Sequence, residues 1–245
     1  MQKFVEVGIV KELNRFPVKS MQGESLSESH VFWHGLDGDR RYAFVRSDIL
    51  SGFPWLTGRQ IPSLVRYQPS FTDPNDVANS PVVVTTVNGR QLPINAPELQ
   101  QELAEAYGKP THLIQIGRGV FDSQVISLMS NATVAELNKL AGMPLTAERF
   151  RQNIIVETID KAPFAEEEWM DGVLTFGDAE DGARIHINRR IPRCVMINID
   201  PETAVTNAAV LKMVAQQRDS CVGVYASTEK TGMIRVGDVI RLRRK

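Results

Sequence analysis

The sequence predicts a mostly β fold of the α+β kind, a closed or nearly closed barrel with a few short helices. Three observations carry this. Short runs rich in β-branched and aromatic residues recur at 3–10, 25–33, 41–46, 63–69 and 81–87, separated by Gly, Pro, Asn and Asp. They return at 111–116, 125–129, 153–157, 173–176, 184–187, 193–199, 221–226 and 238–243. Only three stretches carry helical periodicity or caps, so strands dominate.

Taken in order, Asn88-Gly89 between Val82–Val87 and Gln91–Ile94 is the strongest hairpin signal, because a two-residue turn requires positive φ at both positions. From Pro97 to Tyr107, Leu99, Leu103 and Tyr107 recur every four residues and the pattern stops at Gly108-Lys109-Pro110, which predicts a short amphipathic helix closing the first unit. Thr133 and Glu136 have the spacing of a capping box and lead into Leu137 and Leu140. A third helix is expected over 208–217, with Val210, Leu211 and Val214 on one side. Arg241–Lys245 reads as an edge strand ending in a solvated charged tail.

Composition narrows the function. With 28 Lys+Arg against 29 Asp+Glu the chain has no excess charge to hold a polyanion, so no nucleic-acid partner is expected. No apolar run approaches a bilayer span and the first ten residues alternate, so no membrane association and a cytoplasmic location are expected. Neither a G-x-G-x-x-G turn nor a Walker loop is present, which disfavours a doubly wound nucleotide-binding sheet. Two cysteines, Cys194 and Cys221, cannot by themselves ligate an iron–sulfur cluster or a zinc knot. Both are expected to be reduced. The four histidines have no zinc-ligand spacing.

Three constellations could carry chemistry. Arg189, Arg190 and Arg193 precede Cys194 without an intervening acid, and such a field favours the thiolate, which is a nucleophile or a soft-metal ligand. The alternative is a small buried hydrophobe at a strand start, and this is the expectation for Cys221 among its apolar neighbours. In Arg149-Phe150-Arg151-Gln152-Asn153, two guanidinium forks suit a phosphate and an amide suits a heterocycle edge, unless the arginines simply complement a helix C-terminus. Lys19-Ser20, in the Pro- and Gly-bounded turn 16–23, can converge on an anion or be an ordinary turn. Asp39-Arg40-Arg41 and Thr57-Gly58-Arg59-Gln60 are basic loops of similar character.

Six segments occur in an order that resembles a known family: Phe-Pro-Val-Lys-Ser-Met-Gln-Gly (16–23), Gly-Leu-Asp-Gly-Asp-Arg-Arg-Tyr-Ala-Phe-Val (35–45), Thr-Gly-Arg-Gln-Ile-Pro-Ser-Leu (57–64), Phe-Arg-Gln-Asn-Ile (150–154), Arg-Cys-Val-Met-Ile-Asn-Ile-Asp-Pro-Glu-Thr (193–203) and Arg-Val-Gly-Asp (235–238). Together they resemble the molybdenum cofactor sulfurase C-terminal (MOSC) domain proteins preceded by their N-terminal β-barrel domain, the group that includes the mitochondrial amidoxime-reducing component. The resemblance implies a smaller N-terminal β domain over 1–95 and a MOSC domain over 110–245, with a cofactor groove between them. It implies a molybdopterin-type molybdenum cofactor whose metal takes the thiolate of Cys194. It further implies that Lys19, Ser20, Arg40, Arg151 and Asn153 hold the phosphate and pterin, with Asp122 and Arg193 nearby. Where relatives have a small polar residue, this chain has Pro192, which offers neither an N–H nor a hydroxyl.

By that resemblance the chain is a molybdenum-dependent reductase of N-hydroxylated or related N-oxygenated compounds. Electrons would come from a separate ferredoxin-, flavin- or cytochrome-type protein, since some relatives carry a ferredoxin-like domain that has no counterpart here. Two other readings remain: a carrier of sulfur or assembled cofactor through Cys194 without small-molecule turnover, and an anion-binding barrel in which Cys194 is structural.

Overall fold

The computed structural model describes residues 4–49, 52–74, 76–119, 123–178 and 180–244. In chain order its strands and helices are β1 (Phe4–Arg15), β2 (Glu24–Leu26), β3 (Glu28–Phe32), β4 (Gly35–Leu36), β5 (Tyr42–Arg46), β6 (Gln68–Phe71), β7 (Val82–Thr85), β8 (Gln91–Pro93), α1 (Pro97–Tyr107) and β9 (Thr111–Gln115). There follow β10 (Ile126–Ser130), α2 (Asn131–Ala141), β11 (Ile154–Thr158), β12 (Val173–Phe176), β13 (Arg184–Pro192), α3 (Ala209–Arg218), β14 (Cys221–Lys230), β15 (Gly232–Arg235) and β16 (Val239–Arg243).

Seven strands close into a barrel in the order β11-β10-β14-β13-β12-β16-β1, the ring being completed by pairing of β1 with β11, and β2 hangs from the far end of β1. Closure leaves no open edge in that ring. β10 and β11 run parallel, which needs a crossover, and α2 is part of it. Inward side chains such as Val10, Leu128, Ile154, Leu174, Ile185, Val224 and Ile240 fill the barrel. A second core is built from Val18, Phe44, Leu64, Val82, Leu99 and Leu103 beneath α1, and a third lies where α2 and α3 cover Met129, Ile155 and Val222.

The closing seam depends on Gly8. A Cβ there would lie 2.4 Å from the carbonyl oxygen of Glu157 and 3.0 Å from Val156 Cγ1, with backbone on one side of the contact. Gly8→Ala is therefore expected to cost about 1–3 kcal/mol of overpacking strain, measured as a lower urea midpoint with an unchanged slope.

Several expectations need correction. The Asn88-Gly89 hairpin forms, but Gly89 N donates to Thr86 O at 2.9 Å and Gly89 alone of the pair has positive φ, 78°. This is a longer loop ending in a left-handed residue, not a two-residue turn. The cap of α2 is Ser130, whose Oγ accepts from Thr133 N at 3.1 Å, not Thr133. Segments 63–69 and 193–199 are largely 3-10 turns, Pro62–Arg66 and Val195–Asn198, the second lacking a strand's alternation because Ile197, Asn198 and Ile199 are all buried. β16 is no edge: it lies between β12 and β1, and Arg241 pairs with Glu6 and Asp178. Cys221 is half-buried at the start of β14, outside the three cores, and both thiols are free. No described helix is long and apolar enough to cross a membrane.

Thr133 has another task. Its hydroxyl donates to Glu166 Oε2 at 3.0 Å, and Glu166 is fully buried with its Oε1 lacking a hydrogen-bond partner. Burial pushes this carboxyl above the ordinary glutamate value, against the lowering effect of its hydrogen bonds. The folded state therefore favours the protonated acid, and the stability this gives is lost as pH rises from the ordinary value through the raised one. Glu166→Gln keeps the acceptor for Thr133 and removes the ionisation. It is expected to raise Tm at pH 7 relative to the parent, with the gap closing toward pH 4; thermal melts across that range check it.

Candidate functional site

The N-terminal turn and the barrel meet through backbone and carboxylate bonds. Lys19 N donates to Tyr42 O, Arg40 N to Phe16 O and Asn14 N to Asn153 O, at 2.7–2.8 Å. These bonds bring segments 16–20, 39–42 and 149–153 together beside the end of β13. Between them lies a cleft of about 390 Å³ lined by Lys19, Ser20, Arg40, Arg151, Asn153, Arg193 and Cys194. All the sequence-predicted site residues except Asp122, which lies outside the described residues, thus share one cleft.

Its electrostatics are one-sided. Lys19, Arg40, Arg59, Arg149, Arg151, Arg189 and Arg193 line it, and among the described lining residues there is no carboxylate. On a chain of net charge −1 this concentration of cations makes the lining of the cleft locally positive. The backbone is also special here: Ser20, Arg40 and Arg151 adopt left-handed φ values of 67°, 51° and 54°. Such conformations are costly for residues with a Cβ and tend to persist where a site demands a particular side-chain direction.

Asp39, in the basic loop Asp39-Arg40-Arg41, is the keystone beneath the cleft. Its side chain is fully buried and it accepts from Phe16 N at 2.7 Å, from Asn153 Nδ2 at 3.1 Å and, through a short contact, from the Arg40 guanidinium. Asn153 has its whole amide engaged: Nδ2 also donates to Asn14 O at 3.2 Å, and Oδ1 accepts from Ser127 N and Oγ at 3.1 and 2.9 Å. It lines the cleft, but its hydrogen bonds tie the barrel to Asp39, which makes it a positioning residue. The Phe16 ring lies 4.8 Å from the Arg40 Cζ and 4.4 Å from the Arg151 Cζ, fixing both guanidinium planes by cation–π contact.

Arg193 is held differently. Nε donates to Val222 O and Nη1 to Phe150 O, both at 2.9 Å, while Nη2 is buried with no hydrogen-bond partner. Burial brings its pKa down to about 10, still charged at neutral pH. Gly223, at φ 72°, makes the room: a Cβ there would lie 2.9 Å from Leu128 O and 3.3 Å from Arg193 Nη2. Arg149 is buried against Asp200 at 2.7 Å, and burial lowers its pKa also. Cys194 follows Arg193, half-buried, where β13 has ended at Pro192 and the 3-10 turn begins. Pro192 and Phe53 also line the cleft.

Ser127 and Tyr225 also line the cleft, and no motif in the sequence pointed to either. Both sit on barrel strands, β10 and β14, directly opposite each other, so the pairing of strands nearly a hundred residues apart in sequence brings them to the site together.

Residues 114–241, just over half the chain, match the MOSC domain family, and residues 7–113 match the MOSC N-terminal beta barrel domain. Mitochondrial amidoxime reducing component 2 of Bos taurus is 23% identical over an alignment of 295 residues, covering 98% of this chain and 84% of the relative. Mitochondrial amidoxime-reducing component 1 of Danio rerio is 24% identical over 292 residues, covering 98% and 86%. The crystal structure of the YUAD protein from Bacillus subtilis has the same fold, with a TM-score of 0.53 at 13% identity over 100% of both chains. The closed barrel, the segment order and these matches make the chain a member of the MOSC domain family, with the family's N-terminal β-barrel domain ahead of it.

Proposed function

We propose that the protein is a molybdenum-cofactor-dependent reductase of N-hydroxylated or related N-oxygenated small molecules, supplied with electrons by a separate protein. The observation that supports this is the convergence of a half-buried thiol and a carboxylate-free set of cations in one cleft. The names of the relatives, amidoxime-reducing components, point the same way.

The residues present fit such a cofactor. A molybdopterin is an anionic pterin with a phosphate, and its metal accepts a soft thiolate, so its site needs fixed cations, spare donors and a cysteine. The buried, unpartnered Arg193 Nη2 is a spare donor, and Cys194 is the thiol. When bound, the cofactor supplies the two-electron chemistry that removes oxygen from a substrate N–O bond. Reduction of an amidoxime consumes two electrons and two protons and releases the amidine and water.

The chain's own side chains do the rest. Cys194 ligates the metal, Arg151 and Arg193 hold the anionic part of the cofactor, and Lys19 and Ser20 add donors from the N-terminal turn. Asp39 and Asn153 keep Arg40 in place. Arg151→Lys retains the charge but loses the planar fork. A charge-assisted contact of this kind is worth about 1.5–3 kcal/mol, so bound pterin is expected to fall roughly tenfold or more while Tm is unchanged. Fluorescence of released pterin per folded chain measures it.

The function is tested by supplying purified, cofactor-loaded protein with a chemical reductant and benzamidoxime. Multiple turnovers to benzamidine support the reductase, while loaded protein that performs none supports the carrier reading.

A further inference from the structure

The cations of the cleft are graded by depth. Of the seven described ones that line it, five are buried or half-buried, and only Arg59 and Arg189 are exposed. These two therefore stand on its rim. Neither forms a salt bridge with a described carboxylate, and each lies instead against an aromatic ring of the same lining. Arg59 Cζ is 5.6 Å from the centroid of Phe53, and Arg189 Cζ is 5.8 Å from that of Tyr225. Arg189 also donates to Ser123 Oγ through a short contact. Both belong to the neighbourhood of the thiol. Arg189 is on β13, five residues before Cys194. Gly58, next to Arg59, packs so closely on the turn after Cys194 that a Cβ would lie 2.7 Å from Ile199 Cδ1 and 2.9 Å from Met196 Sδ.

We propose that Arg59 and Arg189 are specificity-determining residues that select substrates carrying a carboxylate in addition to the reducible N–O group. The identity of the reducible group rests on the proposed reductase. The cofactor in that reading is held by the deeper cations, which leaves the two rim guanidinium groups to whatever enters the cleft. Each is a planar fork suited to a carboxylate, with no protein carboxylate to displace. The ring beside each one restrains it, so less side-chain freedom is lost when an anion is gripped. A cationic substrate meets like charge at the same rim and is disfavoured.

The probe is 4-carbamoylbenzoate, which has an amide where a substrate has its amidoxime and is therefore not reduced. It is titrated into the full chain from a host that makes molybdopterin, with benzamide and 4-(aminomethyl)benzamide as neutral and cationic controls. Calorimetry gives the affinity, and NMR of the arginine Nε–H groups gives the location. The carboxylate is expected to bind about fivefold or more tightly than benzamide, with the largest shifts at Arg59 and Arg189, and the cation to bind most weakly. The preference is expected to shrink as ionic strength rises. In the Arg59→Gln/Arg189→Gln double variant, checked by thermal melt, it is expected to fall to within about twofold. With a chemical reductant, kcat/KM for 4-carboxybenzamidoxime over benzamidoxime is expected to follow the same order in both proteins. Equal binding of carboxylate and benzamide, a preference undiminished in the double variant, shifts centred on Arg151 and Arg193, or a kcat/KM ratio near one in the parent would each overturn the proposal. A chain that reduces benzamidoxime without any preference defeats the rim assignment and leaves the reductase standing. In a chain that reduces neither amidoxime, the reductase fails and the titration alone decides whether the rim takes carboxylates.

Discussion

Asp39→Ala is expected to unfold the site. Phe16 N–H, Asn153 Nδ2 and the Arg40 guanidinium would each lose a buried acceptor at once. Breaking a buried ion pair by removing one partner costs about 3–5 kcal/mol, and for a chain of this size that lowers Tm by roughly 10 °C. Asp39→Asn preserves an acceptor for Phe16 N and is expected to cost less than half as much. Thermal and urea unfolding of the two variants check this. An Asp39→Ala variant within about 1 kcal/mol of the parent would mean that the two parts of the chain are held together elsewhere.

Cys194→Ser has the opposite profile. The thiol is half-buried, outside the three cores, so the loss of stability should stay under about 1 kcal/mol. The hydroxyl is a hard, weakly acidic donor where a soft ligand is required, and turnover of benzamidoxime is expected to fall at least about a hundredfold with pterin still bound. Cys221→Ser, away from the cleft lining, serves as the matched control and should leave turnover unchanged. Full activity in Cys194→Ser would remove the cysteine from the mechanism.

Much of the fold was legible because the signals are local. Pro97 and Gly108 delimit α1, and the short β-branched runs between Gly and Pro gave nearly every barrel strand. What escaped depends on distant partners. β16 looked like an edge until β1 and β12 were placed on either side of it, and segment 193–199 looked like a strand because Val, Met and Ile have the same composition in a 3-10 turn. The site was legible where charge and chemistry repeat along the chain, as in Lys19-Ser20, Arg149–Asn153 and Arg193-Cys194. Asp39 was hidden because an Asp beside two arginines reads as a solvated loop; its importance comes from Phe16 and Asn153, which are 23 and 114 residues away in sequence. For Ser127 and Tyr225 the signal is only tertiary.

The most direct test of the central claim is to express the chain in a host that makes molybdopterin and to quantify molybdenum and released pterin together in the folded protein. Near-equimolar pterin and molybdenum are expected in the parent, reduced pterin in Arg151→Lys, and retained pterin without turnover in Cys194→Ser. Folded parent protein that carries neither molybdenum nor pterin from such a host would contradict it.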